Sequence, residues 1–152
     1  MSADTISNDT KVTVYYLSYG GLIPFIVALF GFFLLDEPIR SFSLNAFITY
    51  AAVIIGFVGA VHWGFLLKAD DIVNKNLLLS LSVLPGLIGW SALLLNQQLA
   101  LIIFALSYPL VFIYEKVTSL KNIFPDWYMS MRVKLTCCVT LMVLVMILGQ
   151  YI

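Results

Sequence analysis

The chain has 152 residues, of which 62% are hydrophobic and 11% are charged, and its mean hydropathy is +1.02. Soluble domains are roughly 45–50% apolar and about 25% charged. This composition excludes a water-soluble domain of this size and indicates that part of the solvent is lipid. Eight basic and eight acidic residues leave no net charge, which argues against a nucleic-acid partner or an acidic tail.

The chain starts with a polar segment, residues 1–13, which we interpret as a cytoplasmic N-terminus. A secretory signal would begin with basic residues before a short apolar core, and a mitochondrial transit peptide would be rich in Arg and poor in acids. The segment fits neither pattern. The first apolar run is therefore expected to stay in the membrane, and the simplest location is a bacterial inner membrane.

Five apolar segments follow, each near the ~20 residues that a helix needs to cross the hydrocarbon of a bilayer. Their approximate bounds are 14–35, 44–67, 77–95, 99–114 and 127–152. They are continuously apolar, whereas the strands of a membrane barrel alternate, and helices satisfy every backbone polar group internally. The sequence predicts an all-α integral membrane protein, a five-helix bundle over residues 14–152.

The distribution of Lys and Arg between the loops predicts the orientation, because cytoplasmic loops carry the excess of these residues. One side has Arg40 alone. The other side has Lys11, Lys68, Lys75, Lys116, Lys121, Arg132 and Lys134. We therefore expect a cytoplasmic N-terminus and a C-terminus outside.

The second predicted helix carries small residues at every fourth position: Ala52, Gly56, Ala60 and Gly64. In lipid, such a stripe lets two helix backbones approach closely, and this packing is a main source of helix association. The stripe predicts that this helix packs tightly against a neighbour in the bundle or against a partner protein.

The same helix holds the only histidine, His62, within the stretch "GAVHWG". An ionisable residue inside a membrane span is a functional candidate by default. Other polar or aromatic groups are expected at a similar depth, and we group Trp63, Tyr108, Tyr19 and Ser80 with His62 as candidates to contact a ligand or partner. This grouping predicts a shallow polar pocket that opens toward the cytoplasm.

The alternative is a structural histidine that joins helices through a hydrogen bond to Tyr108 or Ser80. No carboxylate falls inside a predicted span, and the nearest ones, Asp70 and Asp71, are in the following loop. A single histidine without an acidic partner is a weak basis for a metal site or for acid–base catalysis. No metal, cofactor or catalytic residue is therefore expected.

The stretch "PDWYMSMR" opens the last predicted helix. Trp127 and Tyr128 favour the headgroup region because their rings are apolar and their tips are polar. Arg132 lies one turn after Tyr128 on the same face. We interpret the three residues as interface anchors; the alternative is a recognition surface for lipid headgroups or a protein partner.

Four motifs together resemble a small multi-pass inner-membrane family, a domain of unknown function that includes the vertebrate transmembrane protein sixty-nine. The motifs are "GLIPF" at 21–25, "GAVHWG" at 59–64, "LPGLIGW" at 84–90 and "PDWYMSMR" at 125–132. The resemblance implies an inner-membrane protein of about this length. It implies no reaction, substrate or cofactor.

These observations favour a non-catalytic accessory or assembly subunit of a membrane complex, because the small-residue stripe and the basic face both suit helix and protein contacts. The alternative is a binder or carrier of a small apolar ligand, such as a quinone, porphyrin or lipid, in a pocket near His62. An enzyme is the least favoured class, since no catalytic constellation is present. The expected partners are the lipid bilayer and a membrane-protein complex or a second copy of the chain.

Overall fold

The structure is a computed structural model that describes residues 7–69, 72–118, 120 and 123–151. Within these residues it contains α-helices and no β-strand. The helices are α1 (Asn8–Gly20), α2 (Ile23–Leu34), α3 (Ile39–Lys68), α4 (Lys75–Leu81), α5 (Leu84–Ala92), α6 (Gln97–Val117) and α7 (Asp126–Gly149). The expected all-α architecture is confirmed for this part of the chain.

The described residues include four helical stretches that are long and apolar enough to cross a membrane. They are Asn8–Leu34, which joins α1 and α2, then Ile39–Lys68, Gln97–Val117 and Asp126–Gly149. The segment predicted at 77–95 is not one long helix. It consists of the two short helices α4 and α5.

Prolines explain both interruptions. Pro24 and Pro85 stand in the first turns of α2 and α5, where a missing N–H costs nothing because the first turn has no intrahelical acceptor for it. Two glycines, Gly20 and Gly21, precede the first break. At the second break, Ser82 follows the last residue of α4, and its hydroxyl donates a hydrogen bond to the Leu79 carbonyl oxygen at 2.7 Å.

Several helices extend beyond the bounds that hydropathy predicts, and polar side chains cap the starts of two of them, α1 and α6. The first helix begins at Asn8 and not at Val14, since the Ser7 hydroxyl accepts a hydrogen bond from the Thr10 N–H at 3.2 Å. Helix α6 extends at its C-terminal end: it continues through the polar residues after Tyr114 and ends at Val117. This last extension brings a glutamate into a membrane helix.

Helix α3 lies at the centre and packs against α2, α5 and α6, while α6 also packs along α7. The largest core side chains are fully buried phenylalanines, and the rings of Phe25 and Phe47 meet edge to face with 5.1 Å between centroids. The core is therefore formed around α3 by aromatic and aliphatic residues of its neighbours.

Helices α3 and α5 approach so closely that only glycine fits at two contact positions. A Cβ added at Gly59 would overlap the carbonyl oxygen of Ser82, and one added at Gly89 would lie 2.8 Å from the carbonyl oxygen of Ala52. Both obstacles are backbone atoms, which cannot move aside as a flexible side chain can. Small residues are thus required where these two helices cross.

Only half of the predicted small-residue stripe takes part in this contact. Ala52 is buried, and Gly56 lies opposite Gly86 of α5. Ala60 and Gly64 are exposed, and a Cβ at Gly64 would meet nothing within 4 Å. The first half of the stripe, Ala52 and Gly56, therefore packs against α5, whereas the second half, Ala60 and Gly64, is exposed.

Long-range hydrogen bonds define two ends of the bundle. At the Arg40 end, the second turn of α3 meets the first turn of α6 through Gln97, which donates to Asn45 at 2.9 Å. Arg40 points toward the last turn of α7. At the His62 end, the last turns of α3 and α6 meet the first turns of α4 and α7. Trp63 donates there to the carbonyl oxygen of Leu79 at 3.0 Å.

Candidate functional site

Three ionisable side chains from three helices meet inside the bundle near the His62 end. The Nε2 atom of His62 lies 2.8 Å from Glu115 Oε1, and Arg132 Nη2 donates to the same oxygen at 2.7 Å. Arg132 Nε also points to Glu115 Oε2, at 3.4 Å. We call these three residues the ion cluster.

The ion cluster is almost entirely removed from the surface. His62 and Glu115 are each 1% exposed, and the Arg132 side chain is 12% exposed. Burying an unpaired charge in an apolar medium is very costly, and a buried charge is therefore paired. The pairing with Arg132 explains how Glu115 is tolerated inside a membrane protein.

The position of Glu115 on its helix is unfavourable by itself. It lies in the last turn of α6, which ends at Val117, and the negative end of the helix dipole disfavours a carboxylate there. Arg132 comes from the first part of α7 and supplies the compensating charge. Contacts between helices, and not the local sequence, thus hold this carboxylate in place.

The histidine has a defined hydrogen-bonding role in the ion cluster. A carboxylate can only accept hydrogen bonds, so His62 Nε2 carries the proton that faces Glu115. Its second nitrogen, Nδ1, is buried without a partner among residues 7–69, 72–118, 120 and 123–151. The imidazole therefore contacts Glu115 through Nε2, while Nδ1 has no partner among the described residues.

A second group of apolar side chains covers the ion cluster on the side of the His62 end. We call it the apolar plug; its buried members are Leu66, Leu78, Leu120 and Phe124. The ring centroids of His62 and Phe124 are 6.0 Å apart. The plug therefore places apolar side chains against the His62 side of the ion cluster.

An apolar groove of about 140 Å³ runs beside the ion cluster. Its walls are Leu17, Ser18, Gly21, Leu22, Phe25, Ile54, Phe57, Val58, Val61, Tyr108, Tyr128, Met131, Arg132, Leu135, Thr136 and Val139. Phe25 and Met131 are buried at its floor, whereas Leu17 and Phe57 are exposed at its rim. The groove is therefore framed by α1, α3 and α7 and opens sideways, on the surface that faces lipid.

Arg132 connects the ion cluster with the groove. Of the described residues that form the groove walls, it is the one that carries a charge, and it belongs to the ion cluster through Glu115. A guanidinium has five N–H donors, of which two point at Glu115. The other three have no acceptor within the described part of the chain. Within the described residues, Arg132 therefore has unused hydrogen-bond donors at the wall of an apolar groove.

The predicted contact residues are only partly brought together. Tyr108 lines the groove and donates its hydroxyl proton to the Ala51 carbonyl at 2.8 Å. Trp63, Tyr19 and Ser80 are exposed away from the ion cluster. Tyr19 stacks on Tyr15 of its own helix, and Ser80 donates to a backbone carbonyl one turn earlier.

The expected hydrogen-bond partners of His62, Tyr108 and Ser80, are replaced by Glu115. Hydropathy placed the end of that helix at Tyr114 and treated the following glutamate as loop. One signal could have found it: Glu115 follows Tyr108 by seven residues, close to two helical turns, and therefore lies on the same face. Asp70 and Asp71, the carboxylates considered in its place, lie outside the described residues.

The predicted anchors at the start of α7 separate into two groups. Trp127 and Tyr128 are half-buried among aromatic rings: Trp127 meets Tyr15 with 5.7 Å between ring centroids, and Tyr128 packs on Phe124. Arg132 points inward to the ion cluster and is not a surface anchor. The reason is that its position on α7 faces the last turn of α6.

The fold and the site define a multi-pass helical membrane protein with an ion cluster buried near one end of its bundle. The family described as "Protein of unknown function (DUF3429)" matches residues 10–148, and the chain belongs to this family. The family that the four motifs resemble is thus confirmed.

The chain is similar to curated relatives called "Transmembrane protein 69". The protein of Xenopus tropicalis is 29% identical over 133 residues, which are 84% of this chain and 51% of that protein. The protein of Mus musculus is 26% identical over 128 residues, 82% of this chain and 51% of that protein. The chain thus spans about half the length of the relatives it matches. No solved structure matches it.

Proposed function

We propose that this protein binds a small amphipathic molecule from the bilayer in the groove between α1, α3 and α7, and acts as its binder or carrier. The observation that carries the proposal is the composition of the groove: an apolar wall that contains one charged group, Arg132. Binding sites for small molecules are mostly apolar clefts with a few polar groups that fix orientation. The groove has this composition.

The size and position of the groove restrict the ligand. Apolar cavities of about 150 Å³ admit a molecule the size of benzene, so a groove of about 140 Å³ holds one ring or part of one acyl chain. The exposed rim at Leu17 and Phe57 lets the rest of the molecule extend into lipid. These features favour a ligand that reaches the site laterally from the membrane.

The proposed activity is binding without chemical conversion. Both carboxylate oxygens of Glu115 are occupied by Arg132, and one is shared with His62. A general base needs a free site within hydrogen-bond reach of the proton that it removes. The occupied carboxylate therefore argues against acid–base catalysis by this cluster.

The proposal includes a location and an orientation: a bacterial inner membrane, five crossings with α4 and α5 together as the third, and a cytoplasmic N-terminus. In support, Lys68, Lys75 and Lys116 occupy the His62 end, and Arg40 occupies the other. Cytoplasmic faces carry the excess of Lys and Arg.

Cysteine labelling tests this orientation in a chain whose Cys137 and Cys138 are replaced by alanine. Thr10→Cys should resist a membrane-impermeant maleimide in intact cells and react after lysis. Glu37→Cys, at the other end, should react in both. The reverse pattern would contradict the orientation.

A photoreactive label tests ligand binding. Purified protein in lipid nanodiscs is irradiated with a long-chain alcohol that carries a diazirine in its tail, and the labelled residues are mapped by mass spectrometry. Labels should concentrate on 54–61 and 131–139, which line the groove, in preference to the lipid-facing Val27 and Phe30. Val58→Phe should fill the groove and reduce this labelling at least severalfold.

A matched valine on the same helix is the control. Val53 is 59% exposed and lies outside the groove, so Val53→Phe should retain the labelling pattern. Uniform labelling of lipid-facing residues in the wild-type protein, or equal loss in both variants, would refute binding in the groove.

A second candidate, an accessory subunit of a membrane complex, is favoured by the open end of the small-residue stripe. Ala60 and Gly64 are exposed, and a close approach of another helix is possible at Gly64. Quantitative mass spectrometry of the tagged protein in mild detergent should then find a near-stoichiometric partner that is lost in Gly64→Leu and kept in Val53→Leu. A wild-type sample without partner would remove this candidate.

A further inference from the structure

The donor chemistry of Arg132 indicates which headgroup the groove can take, provided that the groove binds a ligand as proposed above. Two of the five guanidinium N–H groups face Glu115, and the remaining three have no acceptor within the described residues. A guanidinium offers no acceptor of its own. The complementary headgroup therefore presents oxygens that accept hydrogen bonds.

The shape of the free edge of Arg132 favours a planar, charged acceptor. Parallel N–H groups of a guanidinium match the two oxygens of a carboxylate, and hydrogen bonds between charged groups are about twice as strong as neutral ones. A hydroxyl has a single oxygen and can match only one of these donors.

The depth of Arg132 favours a compact headgroup. Arg132 follows Asp126, the first residue of α7, by six positions, which places it about 9 Å along the helix at 1.5 Å per residue. The Arg132 side chain is only 12% exposed, so little space is open beside it. A carboxylate, which has three heavy atoms, fits this position better than the large headgroup of a two-chain phospholipid.

From these observations we infer that the ligand is a single-chain carboxylate amphiphile, of the fatty-acid class, whose carboxylate binds Arg132 while its chain lies in the apolar groove. Glu115 has a specific part in this site. Its carboxylate binds the other edge of the guanidinium and keeps Arg132 in place when the groove is empty, and its negative charge repels a second carboxylate. The ion cluster is then both a structural contact and the headgroup site.

The test compares three photoreactive probes that share one chain and differ in headgroup: the carboxylic acid, the alcohol and the phosphate monoester. They are applied to the full chain in nanodiscs at about pH 9, because the bilayer raises the pKa of a carboxylic acid above its value in water and the probe must be ionised. The readout is labelling of 131–139 relative to the lipid-facing residues Val27 and Phe30, which corrects for unequal partition into the bilayer. The acid should exceed the alcohol roughly tenfold, the effect expected for a charged hydrogen-bonded pair.

Variants of the ion cluster separate binding from folding. The double variant Glu115→Gln with Arg132→Gln removes both charges together, so neither is left unpaired, and it should reduce the acid-to-alcohol ratio to about one while retaining alcohol labelling. Glu115→Gln alone should raise this ratio above the wild-type value, because the negative charge that repels the carboxylate of the ligand is gone. A purely structural role of the cluster predicts no such rise. Arg40→Gln, at the other end, should leave the ratio unchanged.

The possible failures are distinguishable. If neither the acid nor the alcohol labels the groove, both the proposed function and this inference are refuted. If the groove is labelled equally by the two probes, or if the double variant keeps the preference for the acid, binding stands and the carboxylate assignment is refuted. Stronger labelling by the phosphate than by the acid would also overturn the assignment.

Discussion

The two ends of the bundle differ in how deeply their charged side chains are buried. At the Arg40 end, the Arg40 guanidinium lies 4.6 Å from the centroid of the Phe32 ring and 3.5 Å from the carbonyl oxygen of Gly149, in the last turn of α7. Its surroundings include exposed residues such as Glu37. At the His62 end, Arg132 and Glu115 lie within the bundle and are covered by apolar side chains.

This difference separates a charge that costs little to desolvate from charges that cost much more. A cation near the negative end of a helix dipole and over an aromatic ring is a common stabilising arrangement of about 1 kcal/mol or less. A buried ion pair brings a desolvation penalty that can exceed its attraction. The chain keeps the costly arrangement where a groove reaches it, and this coincidence supports a functional role for the His62 end.

The largest effect in this comparison is expected from removing one charge of the ion cluster. Glu115→Gln leaves Arg132 buried without its counter-ion, and breaking a buried pair costs about 3–5 kcal/mol. The free energy of unfolding in detergent should therefore fall by this amount. The measurement is denaturant-induced unfolding followed by tryptophan fluorescence.

The same substitution at the other end is the control for that measurement. Glu37 is exposed and its carboxylate accepts a hydrogen bond from the Ser41 N–H at 3.2 Å, so Glu37→Gln should cost at most about 1 kcal/mol. Equal losses at Glu115 and Glu37 would show that burial does not distinguish the two ends.

An intermediate effect is expected from adding a methyl group at the tight contact between α3 and α5. A methyl group at Gly89 would meet the backbone of Ala52 at 2.8 Å, and forced overpacking costs about 1–3 kcal/mol. Gly89→Ala should lower the stability by this amount in the same unfolding assay. No change would mean that the helices separate without penalty.

The control for Gly89→Ala is the same substitution at the open end of the stripe. Gly64 lies within α3, and a Cβ there meets nothing within 4 Å. Gly64→Ala should leave the stability unchanged or raise it by up to about 1 kcal/mol, since alanine is the better helix former. A loss comparable to that of Gly89→Ala would be inconsistent with the packing described above.

The smallest effect is expected at Arg40. Its contact with the Gly149 carbonyl is long, at 3.5 Å, and its side chain reaches the end of the bundle. Arg40→Gln should cost about 1 kcal/mol or less, and this loss should shrink further at high salt because charges near water are screened. If Arg40→Gln lowered the free energy of unfolding as much as Glu115→Gln, and salt did not change this loss, Arg40 would be as shielded from water as the ion cluster.

Much of the architecture could be predicted from composition and pattern. Long apolar runs indicated membrane helices because no soluble core can hide so much apolar surface. The predicted segments 14–35 and 77–95 ran through the interruptions at Pro24 and Pro85, although a proline tends to end a helix. Pro109 shows the limit of this rule, since α6 passes through it without a break. A proline removes one backbone hydrogen bond. Whether the helix continues past it depends on whether neighbouring groups satisfy the freed carbonyl.

The candidate site could be predicted only in part. His62 was identifiable because a lone ionisable residue in an apolar run is conspicuous. Its partner was not, because Glu115 stands beside Lys116 at the end of an apolar run, where charged residues usually mark a loop. Arg132 had an equally ordinary interpretation as an interface anchor.

The sequence by itself determined that this protein lies in a membrane, that it is helical and that its basic residues are distributed unevenly, because each of these properties depends on composition and local order. The tertiary structure alone decided which polar residues meet. His62 and Glu115 are 53 positions apart, and Arg132 comes from a third helix. Pairing across such separations follows from how helices pack, and packing depends on all of them together.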